Sequence, residues 1–572
     1  MKFNSNTRQL VLEVLSVLLL VACHFIIQWK LSPYHFTLRD GSIRWIPIAI
    51  SVTPSLLFYG FARLILPNIL SMALVISADV VLAIINLQKL GRINEVLGWT
   101  DLTNLSENIS VVLEFVQPIH FVIIGAAMLA LLAAYWLNRK VHNTPAYFCY
   151  KLLLIGLLTP VVFNTHLVYA DVLSRHNSIA TYLRSAGVNY IRSQWHKNLR
   201  VQGLAMHLVQ TSARVTLSAP SADELRIAEQ TDSYKLDSVH RSKKIIIILC
   251  EACWADKNHF SKEFQPLIDL GFKSARGISP SYGGGTANAS FEWQTGLPAN
   301  NVLTGVIYQE YSGVMREKLN SIAQSLHSEG FRTVAAHNYK RKFWHRHEMM
   351  PKLGYDEFIG IEDMQMFDYK PNRYGWIDDG VMYANIRDHI DSEGPAFLYL
   401  TTMYTHAPFR QMNDLGQADF ANRVSTTVNR IAEFVKYVKD RHDATIVVYG
   451  DHKPMMTDFY LSEGIFSPDM FLKIGKNNAG YLFKETVDRP AIGDVPVYIY
   501  DKDEARVNNF ISEADGLPFF CQSALLNKHF IGTQVLSHQF ALKNSLCSPS
   551  ASFKLSDLEK SYPAWLYSVS LF

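Results

Sequence analysis

Long apolar runs separated by short polar breaks fill the first third of the chain, and short apolar runs spaced by mixed segments fill the rest. Five of the long runs, Leu10 to Trp29, Trp45 to Ala62, Leu64 to Leu87, Pro118 to Leu137 and Phe148 to Tyr169, come near the ~17–25 residues that a helix needs to cross a bilayer. The second and third meet at Arg63 with almost no loop, which predicts a tight hairpin over Arg63 to Asn68. The first exceeds the ~7–15 residues of a signal-peptide core and no small-residue cleavage pattern follows it, so it reads as a retained span. Basic residues at Lys2, Arg8, Arg63, Arg139, Lys140 and Lys151 place the N-terminus inside by a narrow margin. Five spans then put everything after Asp171 outside the cytoplasm. Two acids fall within spans. Glu13, near an inner end, reads as a snorkelling or protonated structural residue. Asp79, deeper and beside Ser77, reads either as a hydrogen-bond partner of a neighbouring helix or as part of a substrate path.

From Asp171 to Lys244 the chain is polar and mixed, with helical patterning over Ile179 to Gln210. Leu199, Val201, Leu204 and Leu208 beside Lys197 and Arg200 suit either an amphipathic helix on a membrane surface or a linker helix packed on the following domain. Beyond Lys243 come Ile245 to Cys250, Thr333 to Ala336, Phe397 to Leu400, Thr445 to Tyr449 and Val495 to Tyr500, with helical segments such as Met315 to Ser328 and Phe420 to Val438 between them. Short Ile/Val-rich runs of this kind are strands buried on both faces of a mainly parallel sheet. The expected organisation is an N-terminal α-helical membrane domain over residues 1–171, a linker over 172–242 and an α/β domain over 243–572.

Composition sharpens this picture. Charged residues are 18% of the chain and apolar residues 49%, against roughly 25% charged in an ordinary soluble domain. Lys and Arg number 54 against 51 Asp and Glu, for a net charge of +3. So even a balance excludes a nucleic-acid binder built on a basic surface.

In an open α/β sheet the chemistry lies beyond the carboxyl ends of the strands. The residues found there are Glu251, His337, the Thr405-His406 pair, and Asp451 with His452. Carboxylates with one imidazole suit Mn²⁺ or Zn²⁺ rather than a thiolate-seeking metal. After Tyr282 the string GGGTANASFEWQTGLP joins a glycine-rich turn to a helix. Thr286 is expected as its N-cap, where free N–H groups and the helix dipole favour an anion.

Taken together, CEACW around Glu251, GGGTANASFEWQTGLP, AAHNYKRKFWHRHEMMPKLGYD, THAPF and YGDHKP resemble the motif series of the lipoteichoic acid synthase family, membrane-anchored phosphoglycerol transferases of the sulfatase and alkaline phosphatase superfamily. The resemblance covers Lys243 to Pro454 in motifs. It implies a sulfatase-like extracytoplasmic domain, Thr286 as nucleophile, and Glu251, Thr286, Asp451 and His452 around one divalent metal, Mn²⁺ first, with Zn²⁺ or Mg²⁺ as alternatives. His337, Trp344, Arg346 and His406 would line the glycerophosphate pocket, with Arg346 offering a planar fork to phosphate and His406 protonating or positioning an oxygen. The implied partners are an anionic phospholipid donor, phosphatidylglycerol, a glycan or polymer acceptor, and the bilayer of a bacterial inner membrane. The stretch from Phe459 to Pro490 matches nothing in the series.

Rival functions differ in specific residues. A phosphoethanolamine transferase, or a related phosphodiesterase, shares the Thr nucleophile and the Thr-His-x-Pro segment. A true sulfatase needs Cys or Ser in a C/S-x-P-x-R string, and Cys547-Ser-Pro-Ser-Ala lacks the Arg. A sensor with a dead domain is disfavoured because each expected ligand is present. Cys250 and Cys253 lack a second pair at zinc spacing and read as buried or locally bonded, while Cys521 and Cys547 could pair if exported. His345 and His347 read as pocket wall.

Overall fold

The computed structural model describes residues 5–31, 45–93, 96–103, 152–153, 155–159, 195–212, 220–299, 306–312, 315–410, 414–474, 480–483, 489–548 and 561–572, with a few single positions between them. The chain divides into two compact units, residues 1–91, 95–214 and 471–486 in one and residues 92–94, 215–470 and 487–572 in the other.

In the first unit, α1 (Ser5–Leu31), α2 (Trp45–Ile65) and α3 (Asn68–Ile93) are each long and apolar enough to cross a membrane. The hairpin between α2 and α3 turns over two residues, as the abutting apolar runs predict. Of the two remaining expected spans, Pro118 to Leu137 and most of Phe148 to Tyr169 lie outside the described residues. Glu13 does not snorkel. It is buried, ion-paired to Arg63 Nε at 2.8 Å, and accepts from Tyr59 Oη at 2.9 Å and Asn68 Nδ2 at 2.6 Å. Asp79 is bonded to its neighbours: Ser55 Oγ donates to it from α2, and His24 Nδ1 on α1 lies 2.8 Å from its Oδ2. The apolar face of the Trp195–Gln202 and Leu204–Ser212 helices is buried with these helices, Leu199, Leu204 and Leu208 packing in a cluster with Ile27, Ala83 and Leu90.

The second unit is built on one eight-stranded sheet. Its strands are β1 (Lys244–Cys250), β2 (Lys273–Ile278), β3 (Arg332–His337), β4 (Glu357–Ile359), β5 (Ala396–Thr401) and β6 (Ala444–Gly450), then β9 (Asp494–Tyr500) and β10 (Leu517–Pro518); β7 (Phe471–Ile474) and β8 (Gly480–Phe483) form a separate hairpin in the first unit. The order is β10-β2-β9-β6-β1-β5-β3-β4. The five expected apolar runs are all strands, and β1, β5 and β6 are buried at every position. The sheet is mixed, because β9 pairs antiparallel with both β2 and β6 while every other pairing is parallel. Among the helices, α4 (Thr286–Thr295) follows the glycine turn, α5 (Arg346–Lys352) follows β3, and α6 (Gln417–Lys439) precedes β6. The helix expected over Met315 to Ser328 is confined to Ile322–Ser328, since Ser321 caps it by accepting from Gln324 N at 3.0 Å.

Candidate active site

β1 and β6 are adjacent parallel strands in register, Cys250 opposite Gly450. Their next residues, Glu251 on one side and Asp451 with His452 on the other, therefore emerge side by side. All three are buried, and one ligand atom from each lies within 4.8 Å of the others. His452 Nε2 is 3.5 Å from Glu251 Oε1 and 3.3 Å from Asp451 Oδ2. The backbone sets the tautomer: Nδ1–H of His452 donates to Lys453 O at 3.0 Å, so Nε2 presents a lone pair. Asp451 Oδ1 accepts from Ala252 N at 2.7 Å and His452 N at 2.9 Å, leaving Oδ2 and His452 Nε2 buried without hydrogen-bond partners. Two carboxylates and an imidazole thus converge, with Asp451 Oδ2 and His452 Nε2 lacking a hydrogen-bond partner. Burial, and then the neighbouring charge of Asp451, push Glu251 well above the usual carboxylate range. Such a set calls for a cation, and its oxygen and imidazole donors fit a divalent one.

Thr286 reaches this cluster from α4. It is the first residue of the helix and not its N-cap, which is Gly285 in the left-handed region at φ 82°. The shift by one residue has a chemical result. The hydroxyl is not used in capping, and Thr286 Oγ1 donates to Glu251 Oε2 at 2.9 Å. Beneath it, α4 is held by buried polar contacts, with Ser290 Oγ 3.0 Å from Tyr308 Oη and Gln294 Nε2 donating to that same Oη at 2.9 Å.

The other expected residues gather around this cluster. His337 ends β3, and its Nδ1–H donates to Thr401 O at 3.0 Å, leaving a buried Nε2 without a partner. Burial and the Arg346 charge hold it well below the ordinary histidine range, so the ring is neutral. Arg346 is buried at the start of α5, with one terminal nitrogen unpartnered and its charge acting on Glu251 as well as on His337. It lies over the Trp344 ring at 5.5 Å, and Trp344 stacks on Phe343 at 5.2 Å. Trp344 and His345 both have positive φ, 52° and 53°, a strained pair for non-glycine residues. His406 Nδ1–H donates to Ala407 O at 2.7 Å, and desolvation lowers its pKa to about 4. A neutral ring with its proton on Nδ1 accepts at Nε2; of the two expected roles, positioning is the one this state serves. His345 and His347 share Glu348, at 3.4 and 3.8 Å.

The pattern of the chain does not single out Asp379. Its carboxylate is buried and accepts from Asn338 Nδ2 at 3.0 Å, Met403 N at 2.7 Å, Tyr404 N at 3.2 Å and Thr427 Oγ1 at 2.6 Å. It thereby holds the segment leading to Thr405 and His406, while Thr405 Oγ1 donates to Glu251 O. In the sequence Asp378-Asp379-Gly380 reads as a turn and carries no signal of burial.

Residues 243–488 match the Sulfatase family profile. The chain carries a sulfatase-family domain. Over 293 residues the chain is 25% identical to a candidate cyclic beta-1,2-glucan modification protein of Rhizobium meliloti (strain 1021), covering 47% of this chain and 45% of the relative. It is 23% identical over 142 residues to lipoteichoic acid synthase 1 of Bacillus subtilis (strain 168), covering 22% of each. The chain thus spans less than half the length of these curated relatives. Among solved structures, Streptococcus pyogenes phosphoglycerol transferase GacH in complex with sn-glycerol-1-phosphate superposes with a TM-score of 0.42 at 17% identity, covering 62% of this chain and 95% of that one. The sulfatase-family domain contains the whole cluster: Glu251, Thr286, His337, Trp344, Arg346, His406, Asp451 and His452 all fall within 243–488.

Proposed function

We propose that this chain is a metal-dependent phosphotransferase that moves a glycerophosphate head group from phosphatidylglycerol to an extracytoplasmic glycan or polymer, with Thr286 as nucleophile. The observation that carries the reading is the Thr286 hydroxyl donating to Glu251 at the edge of a buried set of lone pairs that calls for a cation. The names of the two curated relatives, one for glucan modification and one for lipoteichoic acid synthesis, support an envelope glycan or polymer as acceptor. The three long apolar helices support a membrane setting, which brings the domain to its lipid donor.

A divalent cation, Mn²⁺ in this reading, would be held by Glu251, Asp451 and His452 with Thr286, supplying Lewis-acid charge at the phosphoryl oxygens and easing ionisation of the hydroxyl. The residues do the rest. Glu251 Oε2 directs the Thr286 proton away, leaving the Oγ1 lone pairs for in-line attack. The Oγ–P bond forms as the P–O bond to diacylglycerol breaks, and the Thr286 proton ends on the departing diacylglycerol oxygen. An acceptor hydroxyl then displaces Thr286, so the net exchange moves one proton from the acceptor to the diacylglycerol oxygen. His406, unprotonated at Nε2, is suited to accept a hydrogen bond from that hydroxyl and orient it, while the hydroxyl proton returns to Thr286 Oγ1. Arg346 and the neutral His337 offer a donor and an acceptor to a phosphate and the hydroxyls beyond it.

A cationic ethanolamine head group would call for a free carboxylate nearby. Glu348 is paired with His345 and His347, and Asp356 accepts from Thr333 N at 2.8 Å and Thr333 Oγ1 at 3.0 Å. Both acids are engaged locally, which favours the neutral glycerol head group. The test is donor competition with the full chain in mixed micelles of phosphatidylglycerol and phosphatidylethanolamine. Diacylglycerol should arise from the former, with a glycerophosphate adduct on the Thr286 peptide. Consumption of phosphatidylethanolamine alone would replace the reading with a phosphoethanolamine transferase.

A further inference from the structure

The turn that carries Glu251 is closed covalently. Cys250, the last residue of β1, is disulfide-bonded to Cys253, and both are buried. Within that ring Cys253 N–H donates back to Cys250 O at 3.2 Å, and Ala252 sits at φ 50°, a conformation that alanine rarely adopts unless its surroundings impose it. In that conformation Ala252 N–H donates to Asp451 Oδ1. The turn also rests directly on β6: a Cβ built on Gly450 would lie 1.8 Å from Cys253 O. One small ring therefore bears Glu251, orients the carboxylate of Asp451, and abuts the backbone one residue before it.

We propose that the Cys250–Cys253 disulfide is a positioning element of the cation centre, holding Glu251 and Asp451 in the arrangement that a divalent ion takes. The proposal rests on the cation-site reading above. Burial leaves the sulfurs without the access that thiol exchange with a substrate needs. The ring spans a separation of only 3 residues, against 26 for Cys521–Cys547. Closing so short a loop removes less entropy from the unfolded chain, so the effect of this bond is local to the turn.

The test uses the full chain in detergent micelles, stripped with a chelator and titrated with Mn²⁺ by calorimetry and by electron paramagnetic resonance. Wild type, the C250S/C253S double variant and the C521S/C547S control are compared, with thermal midpoints recorded in chelator. The expected result is a Kd for Mn²⁺ at least tenfold weaker in C250S/C253S and unchanged in the control, with the metal-free midpoint of C250S/C253S lowered no more than that of the control. Equal Mn²⁺ affinity in wild type and C250S/C253S overturns the positioning role alone. No Mn²⁺ binding by wild type overturns the cation-site reading and this proposal with it. Should C250S/C253S fail to fold, C250A/C253A, which keeps the buried turn apolar, gives the same comparison, and an unchanged Kd in that variant overturns the proposal.

Discussion

Arg489 places Nη1 2.7 Å from Glu292 Oε1, and both side chains are buried. Glu292 lies in α4, on the helix that begins with Thr286, and its Oε1 also accepts from Ala299 N at 2.7 Å. The pair ties the Thr286 helix to the chain before β9.

Removing one partner strands a buried charge. Arg489→Ala should cost on the order of 3–5 kcal/mol, whereas replacing both residues with apolar ones of similar volume should cost far less. Thermal unfolding of the two variants checks this. Equal losses would mean that Glu292 is compensated by some other group.

Thr286→Ala should abolish turnover with little change in stability. The helix keeps its N-cap at Gly285, and the change removes one hydrogen bond, worth about 1 kcal/mol. Thr286→Ser keeps the hydroxyl and should retain measurable transfer. Phospholipid turnover assayed beside circular dichroism separates chemistry from folding. Near wild-type turnover in Thr286→Ala would end the two-step scheme.

Arg346 is buried with an unpartnered nitrogen aromatic-stacked on its own segment. Arg346→Ala should lower kcat/KM for phosphatidylglycerol by at least about 2 kcal/mol, and Arg346→Lys should restore only part, since a point charge does not reproduce the planar fork. His406→Ala should cause a loss of similar size. Steady-state kinetics with phosphatidylglycerol reads all three.

Burial raises the Asp379 pKa from 3.8 to about 6. The native state therefore holds this proton where the unfolded chain has lost it. The associated stability is complete below pH ~4 and disappears as the pH rises through about 6, a change of roughly 2–4 kcal/mol. Asp379→Asn should flatten that part of the stability–pH profile measured by denaturant unfolding. Profiles of equal slope in variant and wild type would show that Asp379 ionises as it would in water.

The apolar runs made β1, β5 and β6 legible, and with them the place of Glu251, Asp451 and His452, because a strand buried on both faces can tolerate little else. β2 was hidden. Its string KSARGI holds only Ala275 and Ile278 as apolar side chains, and its pairing with β9 is reinforced by Arg276, whose Nε and Nη2 donate to the two Asp494 oxygens at 2.7 and 2.8 Å. The direction of β9 was equally hidden, since an apolar run reads the same in either sense. Thr286 was legible as a residue at a helix start, but a one-residue offset decided whether its hydroxyl capped the helix or faced Glu251. The left-handed turn at Trp344 and His345 has no glycine to announce it.

The polar contacts among α1, α2 and α3 bear on how the protein is made. Glu13 and His24 emerge from the ribosome on α1, well before Arg63 and Ser55 on α2, and Asp79 follows on α3. In a bilayer an unpaired ionisable group on a helix costs on the order of 3 kcal/mol. On α1 alone, Glu13 and His24 lack the partners that α2 and α3 supply. The contacts that fix α1 are complete only once α2 and α3 have been made, so the three helices assemble as a set.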